Sequence, residues 1–365
     1  MKIEHIFIYQ YELPLIRNLV FLRKKIIKRE GWLVQFIFDN ASVGWGEIAP
    51  WPGFSPESSS RTLHQLKEIS KQLLSHTLPP QLEKLNGGFA RWLDPYDLFP
   101  SVRFGIEMAV LNGLAQFKNK PLNRLFARKN VPHIEVDGLL SRNRKNLKNE
   151  IEKIKKFGFS KIKIKIGLSD WKEELALFNK IRMNLGNKIR ISIDMNTRWN
   201  LATAVKFALA IRPGQLEYIE EPVNKISDLS LFYKSTRHPY ALDESLLKIP
   251  LSQALRLSGL KTIILKPMVL GGIEKTVALA KLALRHNREV KISALFESGL
   301  GILTLAHLTA MLSSLKTQPA GLDTYRFLKK DVLRTPLEIA NGRMMLNHTP
   351  LPNNAINTKL LYKIQ

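Results

Sequence analysis

From about Pro132 to Leu322 the chain repeats one pattern, a short apolar run of strand character followed by a longer stretch with apolar residues at helical spacing. The strand-like runs are His133–Gly138, Lys161–Ile166, Ile189–Asp194, Leu216–Glu220, Tyr240–Asp243, Thr262–Lys266 and Val290–Ala294. Between and after them lie a basic helical stretch over Asn143–Phe157, then Asp170–Leu185, Asn200–Ile211, Ile226–Ser235, a short one near Leu251–Leu257, Ile273–His286 and Leu300–Leu315. Strand and helix in alternation predict βα units on a parallel sheet. Seven strands are distinct, and an eighth near Gly321–Leu322 is degenerate. The pattern predicts an α/β fold, a (β/α)7β TIM-like barrel over 132–323.

The preceding residues have another texture. Lys2–Leu13, Gly31–Phe38 and Val43–Ile48 read as strands, with a turn at Asp39-Asn40. Helices are expected from Pro56 to about Ser75 and from Ser101 to about Lys118, the second with Phe104, Met108, Leu111 and Ala115 on one face. Residues 1–131 are therefore expected to form an α+β capping domain, with the tail 324–365 returning to it. The run Trp51-Pro52-Gly53-Phe54-Ser55-Pro56 reads as a loop carrying large apolar groups, either a lid or a packed turn.

Within the barrel pattern, Lys161–Gly167 (K-I-K-I-K-I-G) is unusual. Its strict alternation puts Lys161, Lys163 and Lys165 on one face and the isoleucines on the other. Alone, it would read as an edge strand with its lysines in water. A barrel strand is covered by helices outside and packed inside, which turns the lysines toward the axis. A buried unpaired ammonium is costly, so the centre must hold negative charge.

The following strands supply it. Asp194, Glu220, Asp243 and Lys266 end four successive strands in the phase opposite to their apolar neighbours, and Ser293 keeps that phase in the next strand. The gaps of 26, 23 and 23 residues each correspond to one βα unit. Three carboxylates at neighbouring strand ends form an oxygen donor set that suits a hard cation, with Mg²⁺ favoured. C-terminal strand ends are where barrels of this type place their sites.

Composition narrows the picture further. The 365 residues are 45% hydrophobic and 24% charged, as in ordinary globular proteins, and no stretch approaches the ~20 apolar residues of a membrane-spanning helix. We expect a cytoplasmic location and no membrane partner. With no cysteine, thiolate ligands and thiol nucleophiles are excluded. The net charge is +25, with basic groups at Arg23-Lys24-Lys25, at Lys28-Arg29 and over Arg142–Lys156. Such charge attracts phosphate, but no zinc knuckle, helix-turn-helix or basic-aromatic motif accompanies it. No nucleic-acid partner is expected, and solubility or steering of an anionic substrate accounts for the charge.

The K-x-K strand, the Asp, Glu and Asp on three successive strands and the following Lys resemble the enolase superfamily, in its muconate-lactonising-enzyme-like subgroup. More narrowly, Gly44–Ser55 (GWGEIAPWPGFS), Pro100–Gly105 (PSVRFG), Ile292–Gly301 (ISALFESGLG) and Gly321–Thr324 (GLDT) are similar to the o-succinylbenzoate synthase family of menaquinone biosynthesis. The resemblance implies Asp194, Glu220 and Asp243 as Mg²⁺ ligands, Lys165 as general base and Lys266 as the lysine on the opposite face of a small carboxylate substrate. It further implies Lys163 at the substrate carboxylate and Asn196 as an outer polar partner of the metal site. Ser293 and Phe54 are expected at the substrate. Lys161 lies too deep for the chemistry and is read as structural. Relatives that racemise N-acylamino acids or epimerise dipeptides share this chemistry. Dipeptide epimerases, however, usually carry Asp-x-Asp where this chain has Gly-Leu-Asp-Thr.

Overall fold

The computed structural model describes residues 1–21, 24–126, 131–140, 146–212, 214–313, 315, 317–346 and 348–365. Arg23 and the first residues of the basic helix read from Asn143 lie outside these, and that helix is seen as Leu147–Lys156.

Seven parallel strands follow one another around the barrel in chain order: Gly138–Leu140, Lys161–Lys165, Arg190–Asp194, Ile219–Glu220, Tyr240–Leu242, Leu260–Leu265 and Glu289–Ile292. Ile162, Ile164 and Ile166 are buried, as expected of a face covered by helices. Residues 317–321 close the barrel, bridging to Val290 and Ser293 on one side and to Val136 on the other. Gly321 N donates to Ile292 O at 2.9 Å and Asp137 N to Ala320 O at 3.0 Å. This eighth segment is faint in the sequence because it contains Gln318-Pro319-Ala320-Gly321. Proline brings no N–H to the ladder and glycine no side chain to the pattern.

Two strand expectations change. The run His133–Gly138 splits: His133–Glu135 turns outward to pair antiparallel with Arg343–Met345, and only Gly138–Leu140 enters the barrel. In the N-terminal region, Lys2–Leu13 and Gly31–Phe38 are the inner parts of a longer hairpin, Ile3–Phe21 with Lys24–Phe38, in which Leu19 pairs with Ile26. The basic residues Lys24 to Arg29 thus belong to a strand. Val43–Ile48 adds to one edge of this sheet, and Leu361–Lys363, from the C-terminal tail, adds to the other.

The N-terminal sheet rests on helix Pro100–Phe117 through glycines. A Cβ on Gly44 or Gly46 would stand 1.9 Å from a helix carbonyl, that of Ala109 or Gly105. This close approach explains why G-W-G on the strand is matched by glycine at 105 and 113 on the helix. Glu47, directly after Gly46, is fully buried and reaches the barrel. It accepts from Ser298 N at 2.8 Å, Ser298 Oγ at 2.7 Å and Gly301 N at 2.9 Å, satisfying the N-terminus of helix Gly299–Leu312. Among the described residues no helix is long and apolar enough to cross a membrane.

Candidate active site

Strand register assembles the site. Lys165 pairs with Asp194 across one strand boundary and Asp194 with Glu220 across the next, so all three occupy the same level at the C-terminal rim. Asp243 and Lys266 directly follow the strands Tyr240–Leu242 and Leu260–Leu265. Lys163, Lys165, Asp194, Asn196, Asp243, Lys266, Ser293 and Phe54 all line one cavity. Glu220 is fully buried and is not part of the cavity wall. Of the residues that the resemblance assigns to the chemistry, it alone is absent from that wall.

The three lysines of the alternating strand sit in three environments. Lys161 is fully buried, 3.0 Å from Glu217 and 2.6 Å from the amide oxygen of Gln318, with its ammonium over the Tyr218 ring. Burial, and then the nearby Lys291, lower its pKa to about 8. It braces the barrel interior and does not line the cavity. Lys163 is 3.1 Å from Glu220 and 3.7 Å from Asp194. Burial works against its charge, but Glu220, then Asp194 and Asp243, hold its pKa well above the ordinary lysine value. Lys165 reaches the open rim, its side chain 46% exposed, 3.7 Å from Asp194 and 3.1 Å from the Asn196 oxygen it donates to. Across the cavity Lys266 is paired with Asp243, and its ammonium lies 4.4 Å from the centre of the Phe54 ring.

The carboxylates are crowded. Burial, and then Asp194, push Glu220 up to about 7. Burial also raises Asp194, but Lys165 and Lys163 hold it below its ordinary value. Two acids that the strand phase did not single out add to the cluster. Glu221, adjacent to Glu220 and of opposite phase, is buried and accepts from the main-chain N–H groups of Asp243 and Ser245 at 2.7 and 2.8 Å, so it fixes the loop that presents Asp243. Glu244 accepts from the Asn196 amide at 3.4 Å, while its second oxygen is buried with no hydrogen-bond partner.

Among the described residues no three acidic or histidine side chains stand together as a closed cation cage. Lys163 and Lys266 instead engage Glu220 and Asp243. The donors nevertheless fit a hard divalent cation. They are oxygen only, they stand at neighbouring strand ends, and an orphaned carboxylate oxygen of Glu244 is found on the residue after Asp243.

One further inward pair went unread. Lys291, fully buried and two residues before Ser293 in the same phase, is paired with Asp137, which lines the cavity. The alternation Val290-Lys291-Ile292-Ser293 carried the signal for Lys291. Asp137 carried the same signal, in the alternation His133-Ile134-Glu135-Val136-Asp137.

Residues 146–350 match the family described as "Enolase C-terminal domain-like", and residues 3–112 match "MenC, N-terminal domain". The chloroplastic protein PHYLLO of Arabidopsis thaliana is 31% identical over 85% of this chain, which spans 20% of that protein's length. The o-succinylbenzoate synthase of Pasteurella multocida is 30% identical over 90% of this chain and 91% of its own. Among solved structures, the substrate-liganded L-Ala-D/L-Glu epimerase from Bacillus subtilis superposes with a TM-score of 0.85 at 23% identity, over 96% of this chain and 98% of the other. Muconate lactonizing enzyme from Pseudomonas fluorescens, complexed with muconolactone, gives 0.86 at 19% identity over 98% and 97%. At these identities the two structures speak to the fold.

Proposed function

The chain belongs to the enolase superfamily, in its muconate-lactonising-enzyme subgroup, and within it we propose a Mg²⁺-dependent o-succinylbenzoate synthase of menaquinone (vitamin K2) biosynthesis. The reaction would convert 2-succinyl-6-hydroxy-2,4-cyclohexadiene-1-carboxylate to 2-succinylbenzoate and water. Lys165, as the neutral amine, takes the ring proton next to the carboxylate, leaving an enediolate in the substrate. The same ammonium returns the proton to the ring hydroxyl as its C–O bond breaks, so water leaves and the ring becomes aromatic. Lys163, held charged by Glu220 and Asp194, faces the substrate carboxylate, and Lys266 stands as a fixed cation across the cavity. Asp194, Glu220 and Asp243 would hold Mg²⁺, which when bound supplies positive charge for the two oxygens of the enediolate. Glu220 would exchange its present partner Lys163, at 3.1 Å, for the cation. Asn196 would orient Lys165, and Ser293 and Phe54 would border the ring.

One observation favours the lyase over a dipeptide epimerase. Where epimerases usually carry Asp-x-Asp, a side chain at Gly321 would start 2.6 Å from Ser293 Oγ and 3.2 Å from Lys291 Cε. The remaining acid, Asp323, is already paired with Arg326 and accepts from Leu139 N at 2.7 Å. The acid pair that would receive a substrate ammonium there is thus reduced to one carboxylate, and that one already has partners. Muconate cycloisomers and N-acylamino acids lack that ammonium, so they remain the rival substrates to assay.

The test follows aromatisation of the cyclohexadiene acid, with and without Mg²⁺. We expect Mg²⁺-dependent formation of 2-succinylbenzoate. Lys165→Ala should lower it by a factor on the order of 10³ or more, the scale of a lost general acid–base group. Exchange of deuterium into an N-acylamino acid or a dipeptide, with no aromatisation, would overturn the reading.

A further inference from the structure

The roof of the cavity is a loop tied down in part by a buried cation, Arg29. Trp51 stacks on Phe296 with ring centres 4.9 Å apart, and Phe54 covers Lys266. With Val269 and Leu295, Trp51 forms a small apolar cluster separate from the main core. The loop's own bonds, Trp51 N to Ser55 Oγ at 2.9 Å, Phe54 N to Trp51 O at 3.0 Å and Ser55 N to Trp51 O at 2.9 Å, set its shape and not its place.

Arg29, 3% exposed on strand Lys24–Phe38, sits where that place is decided. Its Nη1 donates to Pro50 O at 3.0 Å, its Nη2 to Ala49 O, and its Nε to Phe296 O at 3.0 Å on the barrel side. A further bond runs from Nη1 to Glu30 O at 3.1 Å, and the guanidinium lies 5.2 Å from the centre of the Trp51 ring. A planar fork with five N–H groups can span carbonyls on two separate loops, whereas the point charge of a lysine cannot.

We propose that Arg29 is a positioning residue for the site: it clamps the 49–54 loop onto the 295–297 loop, and so sets Trp51 on Phe296 and Phe54 over Lys266. Its effect on turnover rests on the reading of Lys266 as a substrate-facing cation; its effect on the loop does not. Amide hydrogen exchange on the free chain tests the second part alone. In Arg29→Met the amides of Phe54 and Ser55 should exchange on the order of tenfold faster or more, while strand Lys161–Lys165 keeps its protection. Arg29→Lys, which restores charge but not the fork, should behave the same way. In the aromatisation assay both variants should raise KM by about tenfold or more, with a smaller loss in kcat, because the roof closes on bound substrate. Loop exchange unchanged in both variants, or normal exchange and KM in Arg29→Lys, would overturn the proposal. Altered loop exchange in a chain whose wild type shows no aromatisation would leave the clamp standing and remove the synthase.

Discussion

Gly321 is where the cavity wall has no room for a further atom. Its missing side chain leaves room for Ser293 and for the buried Lys291, whose partner Asp137 faces the cavity. Gly321→Ala should therefore displace Ser293 and destabilise the fold by about 1–3 kcal/mol, the usual cost of overpacking, read as a lower unfolding midpoint. His307 offers a residue-scale prediction far from the reaction. It is buried in helix Gly299–Leu312 with Nδ1 unpartnered, and burial lowers its pKa to about 4. The unfolded chain takes up this proton near pH 6.5 and the folded chain only near 4, so stability is present above 6.5 and falls as the pH drops toward 4. The loss is of order 3 kcal/mol, and denaturant titrations of His307→Gln should show the decline flattened by that amount. Much of the site was legible at this scale because period-two alternation fixes which way a strand side chain points. That served Lys163, Lys165, Asp194, Asp243, Lys266 and Ser293 well. It also pointed Glu220 inward, but could not tell that Lys163 would pair with it and that it would be fully buried. Glu221 lies in the bend after its strand, with φ at 46°, and Glu244 opens the short 3-10 helix Glu244–Leu247, so the strand period reaches neither.

At the scale of elements, the joint between the two parts of the chain is made by a carboxylate satisfying a helix end. Glu47 on the N-terminal sheet holds the first amides of a barrel helix, and Tyr11 donates to the same carboxylate. Glu47→Ala would leave those donors buried and unmatched, at a cost of about 1–3 kcal/mol. It should lower the unfolding midpoint and loosen exchange at Ser298 and Gly301 together. Element type was readable for the seven barrel strands because repetition reinforces a weak local signal. Element extent was not. The hairpin beyond Leu13 depends on cross-strand pairing with Lys24–Arg29, and the outward turn of His133–Glu135 depends on a partner some 200 residues away at Arg343–Met345. Such partners lie outside any local window.

For the whole molecule, the C-terminal tail edges the N-terminal sheet: Tyr9 pairs with Lys363 and Tyr11 with Leu361, and Ile364 N donates to Ile8 O at 2.8 Å. Removing residues 361–365 would expose that sheet edge. The truncated chain should aggregate at a lower temperature in light scattering while near-native barrel signals persist below it. Closure of the barrel has a consequence for the order of events during synthesis. The first barrel strand, Gly138–Leu140, waits for residues 317–321 before its open side is covered, roughly 180 residues later in the chain. At ribosomal speeds of about 5–20 residues per second, that side stays open for about 10–35 seconds, with Lys163 and its acidic neighbours still wet. The waiting edge is Gly-Leu-Leu and carries no charge, so during that interval its shortness is its own guard against pairing with another nascent copy.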